Sequence, residues 1–133
     1  VRYEQPFTLV LMDIVGFSLV TQAHGRPAGN QLLLKLAYVL KQSVRESDVA
    51  VRQYVSGFGV ILMNATREKA TSWVQRVRQG FEASFEGDDR FTGTQFAVGL
   101  CTCPDEAITM QTVMGQAETA LYEEVTRIEK SLQ

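Results

Sequence analysis

Apolar residues run almost unbroken from Phe7 to Ile14 (FTLVLMDI), the pattern of a central strand covered on both faces. After a turn expected at Gly25 to Gly29, Leu32, Leu33, Leu36, Ala37, Leu40 and Val44 recur at helical spacing and predict one buried stripe. Ser47-Asp48 is expected to end that helix. Val49 to Tyr54 and Phe58 to Met63 then read as the two strands of a hairpin, with glycines at 57 and 59 beside the turn. A second helix is predicted from about Thr66 to Phe85, with Ala70, Trp73, Val74, Val77 and Phe81 on one side. Glu86 to Asp89 is a polar loop, and Thr94 to Cys103 is the last long strand, stopped by Pro104. A final helix carries Met110, Val113, Met114, Ala117, Leu121, Ile128 and Leu132 on one stripe.

The order strand, helix, hairpin, helix, strand, helix implies an α+β sandwich. A mainly antiparallel central sheet would carry helices on both faces, close to the ferredoxin-like plan. At 133 residues the chain is one domain, residues 1–133, able to bury a single core without disulfides or metal. It opens at Val1 and enters a strand almost at once, so a segment of a longer polypeptide is expected. The net charge of -2 does not suggest a nucleic-acid or anionic-membrane surface. No apolar run approaches the roughly 20 residues that span a bilayer. Cys101 and Cys103 alternate on a strand, share a face and read as small core residues of a reducing, cytoplasmic setting.

The chemistry concentrates around Arg45-Glu46-Ser47-Asp48 and the hairpin turn Tyr54-Val55-Ser56-Gly57-Phe58. This arrangement resembles the GGDEF (diguanylate cyclase) family, which carries its signature in that turn and an RxxD motif five residues ahead of it. The resemblance extends along the chain. Ala28-Gly29-Asn30-Gln31-Leu32-Leu33 is similar to the family's AGD-x-x-L helix start, Val98-Gly99-Leu100 to its glycine-bearing last strand, and Ala117 to Tyr122 to its AD-x-ALY helix. The family's helix and DxLTGLxNR motif ahead of the first strand are not seen, and are expected either upstream or lost. The resemblance implies the GGDEF, nucleotidyl cyclase-like fold and a bacterial signalling role.

Joining two GTP molecules takes two metal ions held by facing carboxylates. By the resemblance, Asp13 stands where one such carboxylate belongs, and Ser56 where its hairpin partner would be. A serine hydroxyl is neutral and a poor ligand for a hard cation. The signature's paired glycines, which admit the phosphates, correspond to Tyr54 and Val55, and its second acid to Gly57. Only Phe58 is kept. The resemblance also places Val15 at a second acid, Ser18 and Val125 at phosphate-contacting lysines, and Thr21 and Asn30 at guanine-reading positions. A degenerate, catalytically inactive domain is therefore expected, with no metal and no cofactor. Asp13 is expected to act as a loop-ordering acceptor.

The RxxD motif is intact. The resemblance implies that Arg45 and Asp48 belong to a product-inhibition site for cyclic di-GMP. A guanidinium can hydrogen-bond guanine O6 and N7 together, and a carboxylate can accept from N1–H and N2–H. An arginine of the following helix completes such sites. Arg76, off the apolar stripe, is the candidate and Arg78 the alternative. The expected role is a cyclic di-GMP receptor or regulatory module. Its partners would be cyclic di-GMP, neighbouring signalling domains or partner proteins, and a second copy, with no nucleic acid and no membrane insertion. The alternative is a structural or dimerising module that binds no nucleotide, in which Arg45 and Asp48 are a surface ion pair.

Asp13-Ile14-Val15-Gly16-Phe17-Ser18 also resembles the metal-binding strand of class III adenylyl and guanylyl cyclases, which need the same second aspartate. His24, the one histidine, is expected as a solvent-facing turn residue.

Overall fold

The computed structural model describes residues 5–53, 57–104 and 106–131, and of 51–53 the backbone alone. Four strands, β1 (Phe7–Val15), β2 (Val49–Gln53), β3 (Gly57–Met63) and β4 (Gln95–Cys103), form one sheet in the order β2-β3-β1-β4. Every neighbouring pair is antiparallel. Among the described residues the helices are α1 (Phe17–His24), α2 (Arg26–Ser43), α3 (Arg67–Ser84) and α4 (Met110–Ser131), with a 3-10 turn at Asp89–Phe91.

Alternation along β1 explains the two layers. Val10, Met12 and Ile14 enter a core with Leu32, Leu36 and Leu40 of α2 and Trp73, Val77 and Phe81 of α3. Leu9, Leu11 and Val15 point the other way and pack with Val113, Ala117, Leu121 and Ile128 of α4. The apolar run in β1 is thus buried from both sides. The free Cys101 and Cys103 belong to the α4 layer, and burial pushes the Cys101 thiol up. A Cβ added at Gly99 would lie 2.1 Å from the Ala117 carbonyl oxygen, so the glycine lets α4 lie against β4. Between the sheet and the α3 end, Thr8 Oγ1 donates to Ala65 O at 2.9 Å and bonds Thr102 Oγ1 at 2.8 Å, all out of solvent.

Several expectations need correction. Gly25 to Gly29 is not a turn: the break is Gly25 alone, at φ 87, and α2 starts at Arg26 with Pro27 in its first turn. The helix α1 before it was not expected, because only Val20 of its eight residues is buried and one residue makes no stripe. His24 sits in the last turn of that helix, exposed. A Cβ on Gly29 would meet Thr21 Oγ1 at 2.8 Å, so the glycine sets the close packing of α1 on α2. The second helix ends at Ser43, ahead of Ser47-Asp48, where Val44 turns extended at ψ 148. Strand β1 runs one residue further than expected, and β3 starts one earlier. Tyr54, Val55 and Ser56 lie outside the described residues, as does Leu132.

Candidate functional site

Between the end of α2 and the start of β2 the chain makes one tight turn, closed by Asp48 N–H to Arg45 O at 3.0 Å. The Asp48 carboxylate holds it together. Its Oδ2 accepts from Arg45 N at 2.9 Å and from Arg45 Nε at 3.3 Å. Its Oδ1 accepts from Arg45 Nη2 at 3.1 Å and from Met63 N at 3.0 Å. Arg45 Nη2 also donates to the Met63 carbonyl. The pair thus clasps the turn to the end of β3. Its two members differ sharply in access: the Asp48 side chain is 1% exposed and that of Arg45 59%. Burial works to raise the Asp48 pKa. The bonds from Arg45 and Met63 and the Arg45 charge outweigh it and hold the carboxyl below its ordinary value.

After Met63, Asn64 takes a left-handed conformation at φ 56, one that asparagine tolerates, and swings the chain toward α3. Thr66 caps that helix by accepting from Lys69 N at 3.3 Å. Between the clasp and α3 lies a groove of about 410 Å³. One wall is Ser43, Arg45, Asp48, Leu62, Asn64 and Ala65; the other is Glu68, Lys69, Ser72, Trp73 and Arg76 of α3. Trp73 is fixed in it by its Nε1, which donates to Ser43 O at 2.9 Å. The volume lies in the range of small-ligand sites.

Arg45, Asp48 and Arg76 therefore line one groove. Among the described residues the Arg76 side chain makes no hydrogen bond or ion pair. Arg78 is elsewhere: its Nη1 donates to Phe96 O at 2.8 Å and its guanidinium lies 4.5 Å from the Phe96 ring centre. Sequence reasoning passed over Glu68, Lys69 and Ser72. Stepping back from Arg76 by four, seven and eight residues, the spacing of one helix face, finds all three.

At the other end of β1, Asp13 pairs in register with Gly57 of β3 and Ala97 of β4, neither of which offers a ligating side chain. Val15 is buried in the α4 layer, and Val125 packs on the same layer. Ser18 and Asn30 are exposed, and Thr21 Oγ1 donates to Phe17 O at 2.8 Å. Among the described residues no three His, Cys, Asp or Glu side chains come together as a metal site. Among the described residues no helix is long and apolar enough to cross a membrane.

Residues 1–129 match the family model for the diguanylate cyclase GGDEF domain. The chain is 26% identical over 121 residues to the probable diguanylate cyclase DgcT of Escherichia coli, covering 89% of this chain and 27% of that protein. It is 24% identical over 121 residues to diguanylate cyclase A of Treponema denticola, covering 90% of this chain and 33% of that one. The chain thus spans a third or less of the length of these two relatives. Its fold matches the GGDEF domain of DgcB from Caulobacter crescentus, solved in complex with c-di-GMP. The TM-score is 0.77 at 19% identity, over 89% of this chain and 71% of that one. With the family model matched along residues 1–129, the chain belongs to the GGDEF domain family.

Proposed function

We propose that this domain is a cyclic di-GMP receptor that does not make the dinucleotide, its ligand held in the groove framed by Arg45, Asp48 and Arg76. The observation that carries this reading is the convergence of Arg45 and Arg76, from separate elements, on one groove of ligand size. Arg76 there spends its charge on no partner among the described residues. Two guanidiniums facing one cleft suit a ligand with two phosphodiesters and two purine faces. The DgcB domain that shares this fold was solved with c-di-GMP. Binding would bias contacts with neighbouring domains, partner proteins or a second copy.

The opposite end of β1 supports the absence of cyclase chemistry. A two-metal transfer needs facing carboxylates. Asp13 faces Gly57, and the position of a second acid on β1 is the buried Val15. The degenerate signature, Tyr54, Val55, Ser56, Gly57 and Phe58, offers a hydroxyl where the cations need charge.

A second reading has its own observation. The Arg45–Asp48 clasp on Met63 gives both motif residues a structural task, as expected of a scaffold module that binds no nucleotide. Calorimetry with cyclic di-GMP separates the two. The receptor reading expects micromolar or tighter binding that Arg45→Ala and Arg76→Ala each weaken. No heat from the wild type at micromolar protein would leave the scaffold. Incubation with GTP and Mg²⁺ is expected to yield no dinucleotide, and turnover would overturn the inactive assignment.

A further inference from the structure

We propose that the outer edge of β4 docks an extended peptide segment of a partner protein, one in which apolar and basic residues alternate. This edge shares no lining residue with the groove at Arg45. β4 ends the sheet, with β1 on one side and, among the described residues, no strand on the other. Its register against β1 is continuous from Gln95 to Cys103, so its backbone groups alternate strictly between the two sides. The even-numbered residues face outward. Phe96 O accepts from Arg78 Nη1 at 2.8 Å, Thr102 N–H donates to Glu106 Oε1 at 3.1 Å, and Thr102 O accepts from Glu106 N at 2.8 Å. Both ends of the edge are thus capped. Between them Val98 and Leu100 turn the same way, and among the described residues no hydrogen bond reaches their outward N–H and C=O groups. An open run of this kind is a template for strand addition.

The open run is also the floor of a groove of about 380 Å³, with Val74 of α3 on one side and Ala120 and Glu123 of α4 on the other. Val98 and Leu100 project into the α3 layer and are only half-buried there, so a strand laid alongside would cover them. Alternation sets the chemistry of that strand. Its residues opposite Val98 and Leu100 share their face and come to Val74, which calls for apolar side chains. The residue between them, opposite Gly99, points to the α4 side. There Arg127 is bound to Glu124 at 2.6 Å, while Glu123 is exposed and has no partner among the described residues. That position calls for a cation. Arg78 does not compete for Glu123, being held on Phe96. A second copy suits the edge less well, because pairing β4 with β4 would bring two Glu123 carboxylates to one seam.

The test titrates a fluorescein-labelled heptapeptide, Ser-Val-Lys-Val-Lys-Val-Ser, into the wild-type domain and follows anisotropy and amide exchange. Submillimolar binding is expected. The Val98 and Leu100 amides, fast to exchange in the free domain, should slow by about tenfold or more. Proline in place of the middle valine should abolish binding, because the added strand loses a donor to the ladder. Glu123→Lys, at an exposed helical site that keeps the fold, should weaken the lysine peptide about fivefold. The same variant should strengthen, by about as much, a peptide carrying glutamates in place of the lysines. No binding at millimolar peptide, binding that leaves the Val98 and Leu100 amides fast, or a charge preference unchanged in Glu123→Lys overturns the peptide site. Protection of those amides that rises with domain concentration alone puts a second copy on the edge, and overturns it as well.

Discussion

Asp48 holds the end of β3: its Oδ1 accepts the Met63 N–H at 3.0 Å across 15 positions of sequence. The aspartate of a four-residue motif thereby joins the turn after α2 to the strand that leads into α3. The groove keeps its shape because both its walls start from that one carboxylate.

Removing it should be felt in stability before any ligand is considered. Asp48→Ala leaves the Met63 and Arg45 amides without their acceptor, a loss of about 2–3 kcal/mol in chemical denaturation.

The same carboxylate sets an acid limb. Its folded pKa lies below the ordinary 3.8, so its contribution is full above that value and is lost as pH falls through the folded pKa. Denaturation followed from pH 7 to pH 2 should show stability declining at the acid end, with a shallower slope in Asp48→Ala. Part of the slope should persist in the variant. Asp88, which accepts from Arg90 and is held at about 2, titrates in the same window.

Arg76 and Arg78 should separate binding from stability. Arg76→Ala is expected to weaken cyclic di-GMP about tenfold or more with the melting temperature unchanged. Arg78→Ala should do the reverse, costing about 1 kcal/mol through its bond to Phe96 O and its place over the ring, with binding intact.

Gly99→Ala should be among the most damaging single changes. The added Cβ would meet the Ala117 carbonyl and the Leu121 amide, both backbone. Neither helix nor strand can yield locally, and about 3 kcal/mol of lost stability is expected by thermal or urea unfolding.

Thr8→Val keeps the shape of a buried side chain but removes the donor to Ala65 O and the partner of Thr102. A loss of about 1–2 kcal/mol is expected in urea unfolding.

Much of this architecture was legible in the residues because its signals are long. The run through β1, the stripes of α2, α3 and α4, and the alternation of β4 each repeat over two turns or more. Helix α1 was not, since a single buried Val20 has no period, and Gly25 was read as part of a loop when it is a one-residue hinge between two helices. At the groove, the resemblance to the family's RxxD motif singled out Arg45 and Asp48, and the apolar stripe left Arg76 outside the core. Where each side chain goes depends on distant backbone. The Met63 N–H decides that Asp48 turns inward, and the edge carbonyl of Phe96 decides that Arg78 turns away. Neither partner is marked by anything in the neighbouring sequence.

The position of β1 has one more consequence. It bonds to β3 on one side and β4 on the other, and its side chains enter both helical layers. Neither layer can peel away without uncovering this strand, so its opening is the global event. The amides of Leu9 to Met12 should be the last to exchange with deuterated solvent, at the free energy of complete unfolding, while those of the exposed Arg45 turn exchange first.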